Sequence, residues 1–199
     1  DFGLMLMKGT DGDKAKYTAL KISSELVSFV GIDVFEFAAR DVDVLLNTGS
    51  KSGDSDYQRV VDFSAFSGGS YLLDTGSSEI EFDVSSKIIK ATIAQATLSI
   101  GDNVFINGAF GFTKQDNLDI TLTSGAQKTV NALQIGAENA NIFFGDEGPY
   151  LVDTDNDGVP DSTNDNAVGL TLNNVDVAVA LLKPNTTSDK ALYYAVKAS

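Results

Sequence analysis

The chain contains no cysteine, no histidine and no tryptophan. Without cysteine there is no disulfide framework, no thiolate nucleophile and no cysteine-ligated zinc. Without histidine the Ser-His and Cys-His nucleophile systems are excluded, and soft transition-metal sites lose their commonest ligand. Cations that take hard oxygen ligands remain open. Basic residues are scarce, 14 against 28 acidic ones, for a net charge of −14. Such a balance argues against nucleic acid and anionic lipid as partners, since both need clustered Lys and Arg, and favours divalent cations. No apolar run approaches the roughly 18 residues of a membrane-spanning helix. The opening residues lack the basic region and apolar core of a signal peptide, so any export signal or anchor is expected outside this stretch.

Apolar residues make up 43% of the chain, enough for a core. Val, Ile, Leu and Phe alternate with Thr, Ser, Asn and Asp, a mix that favours strands. The chain also repeats itself. DVAVALLK (176–183) mirrors DFGLMLMK (1–8), and YYAVKAS (193–199) mirrors YTALKIS (17–23). An offset of about 175 residues predicts one elongated repeat region over 1–199: one unit (1–175) of a tandem array and the start of the next (176–199). The ends are then expected to be cut points.

A shorter repeat lies inside the long one. FEFAARDVDVLL (35–46), IKATIAQATLSI (89–100), LQIGAENANIFF (133–144) and LTLNNVDVAVAL (170–181) align without a gap. Each is apolar at positions 1, 3, 8, 10 and 12, and position 7 is Asp41, Gln95, Asn139 or Asp176. Asp1 opens a partial fifth copy at that same position. The switch of apolar parity predicts strand, kink, strand, with a bend or bulge at the kink. The polar residues at position 7 either stack as a ladder of side-chain hydrogen bonds or act as independent turn residues. Further strands are expected at 17–30, 60–66, 79–84, 104–113 and 118–123, with insertions at 48–57 and 146–166. The fold expected is all-β, first an elongated parallel β-solenoid with inserted loops, and second an antiparallel meander or sandwich. In the second case the links 101–103 and 115–117 would close hairpins.

The most specific motif is DTDNDGVPDSTNDN (153–166). Asp153, Asp155, Asp157, Asp161 and Asp165, with the Val159 carbonyl, are the candidate ligands of a Ca²⁺ ion, which takes six to eight oxygens. Closely spaced carboxylates repel unless a cation neutralises them. The string resembles the thrombospondin type 3 calcium repeat and the first nine positions of an EF-hand loop. It departs from both at Asn164, where the EF-hand has Glu and the type 3 repeat Asp.

Longer phrases, YTALKISSELVSFVGIDVFEFAARDVDVLLNTG (17–49), VFINGAFGFTKQDNLDITL (104–122) and GLTLNNVDVAVALL (169–182), resemble a repeat of very large bacterial surface or secreted proteins, adhesin-like and associated with calcium-binding RTX proteins. The resemblance implies an extracellular or cell-surface, tandemly repeated, β-rich protein, and it carries no catalytic residue. The function expected is therefore structural, not enzymatic: a module of a fibre, adhesin stalk or surface coat, stabilised by calcium. Its partners would be neighbouring copies of the same repeat, with self-assembly into filaments and a glycan or cell-surface ligand elsewhere in the protein. The alternative is a carbohydrate-binding or carbohydrate-active β-helix using Asp41 with Asp43, or Glu79 with Glu81.

Overall fold

Alternating apolar and polar residues, interrupted by Gly- and Asn-rich turns, give strands of unusual length. A computed structural model describes residues 1–10, 12–28, 35–54, 57–155, 157, 159–186 and 188–199. The strands in chain order are β1 (Phe2–Lys8), β2 (Ala15–Ser28), β3 (Phe35–Lys51), β4 (Tyr71–Asp74), β5 (Glu79–Phe82), β6 (Ile88–Ile100), β7 (Val104–Thr121), β8 (Gln127–Asp146), β9 (Leu151–Val152), β10 (Ser162–Thr163), β11 (Val168–Pro184) and β12 (Tyr193–Ala198). Eight of them form one sheet in the order β1-β2-β3-β6-β7-β8-β11-β12, every neighbouring pair antiparallel. The fold is all-β, and it is the meander named as the second expectation, not the parallel solenoid named first. Period-two alternation is common to both; the hairpin link at 101–103 joins β6 to β7 and sets the antiparallel course. The sheet does not close, since β1 and β12 each have one hydrogen-bonded neighbour.

All four short repeats fall on long strands: β3, β6, β8 and β11. A line of irregularities crosses the sheet where their parity switches. The register passes over Asp41 between β3 and β6, and it shifts between Ile93 and Ala96, between Asn107 and Ala109, and twice between Leu172 and Val177. Asp41, Asn139 and Asn174 adopt positive φ of 49°, 50° and 55° there. Asx side chains tolerate that region better than other non-glycine residues. Gly108 lies on the same line because a Cβ on it would come within 2.8 Å of the Ala140 Cα. The 115–117 link closes no hairpin. It is a bulge inside β7, with Asn117 at φ 60°.

On one side of the bulge line, Phe2, Ile22, Val44, Ala91, Phe112, Ile135, Val179 and Val196 are register neighbours across all eight strands. Directly opposed residues share a face. This face carries Phe2, Phe112, Ile135 and Val196 exposed. The reverse face is covered over β1–β3 by the segment between β3 and β6, which is longer than the 48–57 insertion expected. Within that segment 60–66 is not a strand; Phe63–Ala65 forms a 3-10 turn capped by the Asp62 carboxylate. Phe63, Ile80 and Phe82 pack on Ala19, flanked by Met5, Met7, Val61, Leu73 and Val84. Asn47, fully buried, ties both ends of the segment down through Nδ2 donation to the Val61 and Ser86 carbonyls at 2.8 and 3.1 Å. Gly49 follows because a Cβ there would overlap the Arg59 carbonyl oxygen.

The two sequence echoes superpose pair for pair. Phe2↔Ile22, Leu4↔Leu20, Leu6↔Thr18 and Met7↔Tyr17 on β1–β2 match Val177↔Ala198, Val179↔Val196, Leu181↔Tyr194 and Leu182↔Tyr193 on β11–β12. Asp1 and Ser23 exchange two hydrogen bonds, as Asp176 and Ser199 do. The connecting turns agree as well. Asp13 N–H donates to the Thr10 carbonyl and its carboxylate accepts from Ala15 N–H; Asp189, Thr186 and Ala191 repeat both bonds. Pro184 accounts for the single extra residue in the second turn.

Candidate metal-binding loop and adjoining cavity

The segment 147–167 crosses from β8 to β11 and carries the acidic motif. Carboxylate oxygens of Asp153, Asp155 and Asp157 lie within 4.8 Å of one another, with Asp155 and Asp157 exposed. The loop is wound by its own side chains: Asp157 N–H donates to Asp153 and Asp155 at 3.2 Å, and Val159 N–H donates to Asp157 Oδ1 at 2.7 Å. These bonds turn alternate aspartates toward one centre, an arrangement able to hold a hard divalent cation.

Asp161 is placed otherwise. Its carboxylate accepts from the Thr154 hydroxyl at 2.8 and 2.9 Å and from Thr154 N–H at 3.1 Å, and these bonds hold its pKa below the ordinary value. Asp165 does not join the triad. It sits in the turn where Asn166 N–H donates to Asn164 Oδ1. Gly158 of the motif lies outside the described residues.

Under this segment a cavity of about 390 Å³ opens onto the sheet. Its walls mix Tyr150, Phe105 and Phe143 with Arg40, Gln95, Asn107 and Asn141, and Asp153 stands at its edge. Gln95 Nε2 is buried there without a hydrogen-bond partner. Arg40 and Asn141 lie within the short repeats, at the sixth position of 35–46 and the ninth of 133–144. The cavity itself was not readable in the sequence, because it needs the insertion to fold back over β3–β8.

The position-7 residues fall in two adjacent pairs and one outlier. Asp41 lies on the strand beside Gln95, and Asn139 N–H donates to Asp176 Oδ1 at 2.9 Å. Strand β7 separates the pairs, and β2 separates Asp1 from Asp41. Glu79 and Glu81 lie on β5 at the surface, and Lys21 Nζ donates to the Glu81 carbonyl rather than to a carboxylate.

Comparison with protein-family models, with curated proteins and with solved structures finds no match to this chain. No helix is long and apolar enough to cross a membrane among the described residues.

Proposed function

We propose that this chain is a structural repeat module of a large extracellular or cell-surface bacterial protein, a fibre, adhesin stalk or surface coat. Units join edge to edge into one continuous sheet, and calcium seats in the acidic loop. The observation that carries this reading is the register match between β1–β2 and β11–β12. A sheet whose last hairpin reproduces its first can accept at β12 the strand that β2 accepts from β3. Open strand edges otherwise invite uncontrolled pairing, and Leu6 is 73% exposed on β1.

The test is a tandem chain in which residues 1–199 run directly into a second copy of residues 24–199, so that β11–β12 serves as the first hairpin of the second copy. Six added strands should lengthen the particle by about 29 Å in small-angle scattering, at roughly 4.8 Å per strand. Two separately tumbling bodies, or an unfolded second copy, would refute the continuous sheet.

Calcium is checked on the single chain. With a dissociation constant of the order found in extracellular modules, 10⁻⁴–10⁻³ M, about 10 mM Ca²⁺ should stabilise the fold by about 1.4–2.7 kcal/mol over excess EGTA. The double substitution Asp155→Ala, Asp157→Ala should abolish that difference. An unchanged Tm in calcium and EGTA would remove this loop as a stabilising site.

A further inference from the structure

We infer that the bare face of the β11–β12 hairpin is the seat for a second copy of the 57–86 segment, supplied by the following repeat. This rests on the tandem reading above and adds to it a specific lateral contact. On β2 the residues facing that segment are Ala15, Tyr17, Ala19 and Lys21. On β12 and its approach the equivalent positions are Ala191, Tyr193, Ala195 and Lys197, all four the same. The residues facing the other way are Lys16, Thr18, Leu20 and Ile22 in the first hairpin and Leu192, Tyr194, Val196 and Ala198 in the second, all four different. Along β2 and β12 identity alternates with the pleat, whereas along β1 and β11 the kept residues, Leu6 with Leu181 and Lys8 with Lys183, lie on the other face.

The face toward the 57–86 segment has work to do in the first hairpin. Ala19 is completely buried under Phe63, Ile80 and Phe82. Tyr17 and Tyr57 share a hydrogen bond of 2.7 Å, and that bond, with burial, pushes the Tyr57 pKa up to about 12. Lys21 Nζ donates to the Glu81 carbonyl at 2.9 Å. Asp13 in the turn pairs with Lys51 at 3.1 Å. In the second hairpin Ala195 and Lys197 stand exposed. They line a shallow trough of about 400 Å³ with Ala178 and Ala180, floored on its far side by Gly111 and Gly136.

The three β1 positions on this face, Gly3, Met5 and Met7, are Ala178, Ala180 and Leu182 in the second hairpin. Ala178 replaces Gly3, where an added Cβ would press Ile80 at 3.2 Å, and Ala180 replaces the longer Met5 beside it. Asp189 already pairs with Lys128 at 2.6 Å on the β8 side, and it occupies the position from which Asp13 reaches Lys51 on the β3 side. In the array Asp189 would stand between two lysines, one from each repeat.

The absence of native cysteine makes the test direct. A lone cysteine is placed by Ala195→Cys in the single chain and in the tandem chain, and its rate of reaction with a soluble maleimide is measured in both. The rate should fall on the order of 100-fold in the tandem chain, reporting protection by a docked segment. A second pair, Ala178→Cys with Ile80→Cys in the second copy, should form a disulfide under mild oxidation, as Gly3→Cys with Ile80→Cys should within one copy. Equal labelling in both chains with no disulfide, in a tandem particle that scattering shows to be one extended sheet, would overturn the docking and leave the array standing. A tandem particle that is not one sheet would overturn the array itself.

Discussion

Phe63→Ala is expected to cost about 3–5 kcal/mol of stability, the usual loss for emptying a buried aromatic site. Phe63 is 1% exposed and Phe82 not at all, with ring centroids 5.4 Å apart. Phe66 and Tyr71 extend the same aromatic cluster, at 6.0 and 6.5 Å from Phe63. The sheet alone has little else to bury against, because its other face is open to solvent along Phe2, Phe112 and Ile135. Removal of Phe63 therefore releases the segment over β1–β3 before the sheet comes apart. Urea unfolding should show the loss, and limited proteolysis should cut first within 57–86. A change under about 1 kcal/mol would mean that this cluster is not the core.

Asn47→Asp should cost a similar amount at neutral pH, about 3–5 kcal/mol, the penalty of leaving a buried charge without a partner. The amide donates to two carbonyls from opposite ends of the insertion. A carboxylate there would face both carbonyl oxygens with nothing to donate. Burial and those carbonyls would raise its folded pKa above the unfolded value of about 3.9. The sign follows from linkage. The protonated acid is tolerated, so the deficit relative to the parent chain is smallest below about pH 4 and grows as pH rises toward the folded pKa. Asn47→Ala carries no charge and should lose about 1–3 kcal/mol with no such pH dependence. Equal deficits for the aspartate variant at pH 4 and pH 7 would show that position 47 takes up water instead.

Much of this architecture was legible because it is local. The parity switch in 35–46, 89–100, 133–144 and 170–181 marked a bend or bulge, and the positive φ values at Asp41, Asn139 and Asn174 mark its line across the sheet. The echo at 176–199 was visible as letters. Its meaning for the fold needed the register, because only pairing tells which alternate residues share a face. Strand direction was not legible, since parallel and antiparallel rungs alternate with the same period. Nor was Asn47, which sits inside β3, where its importance comes from carbonyls 14 and 39 residues away. In the acidic loop the spacing identified Asp153, Asp155 and Asp157, but Asp161 is drawn off by Thr154, a competitor of the same short-range kind that a string of letters does not rank.

The matching hairpins are the first and last pairs of an eight-stranded order, six strands apart. Six is even, so on the tandem reading every unit would enter the ribbon with the same polarity. Neighbouring strands rotate by about 20–25° with a fixed hand, which gives about 120–150° of turn per unit. On that reading the ribbon would be a screw with about 2.4–3 units per revolution and a pitch of about 70–86 Å at roughly 4.8 Å per strand. Acidic loops emerging once per unit from the β8–β11 end would wind around such a fibre as a spiral of evenly spaced cation sites rather than line one side of it.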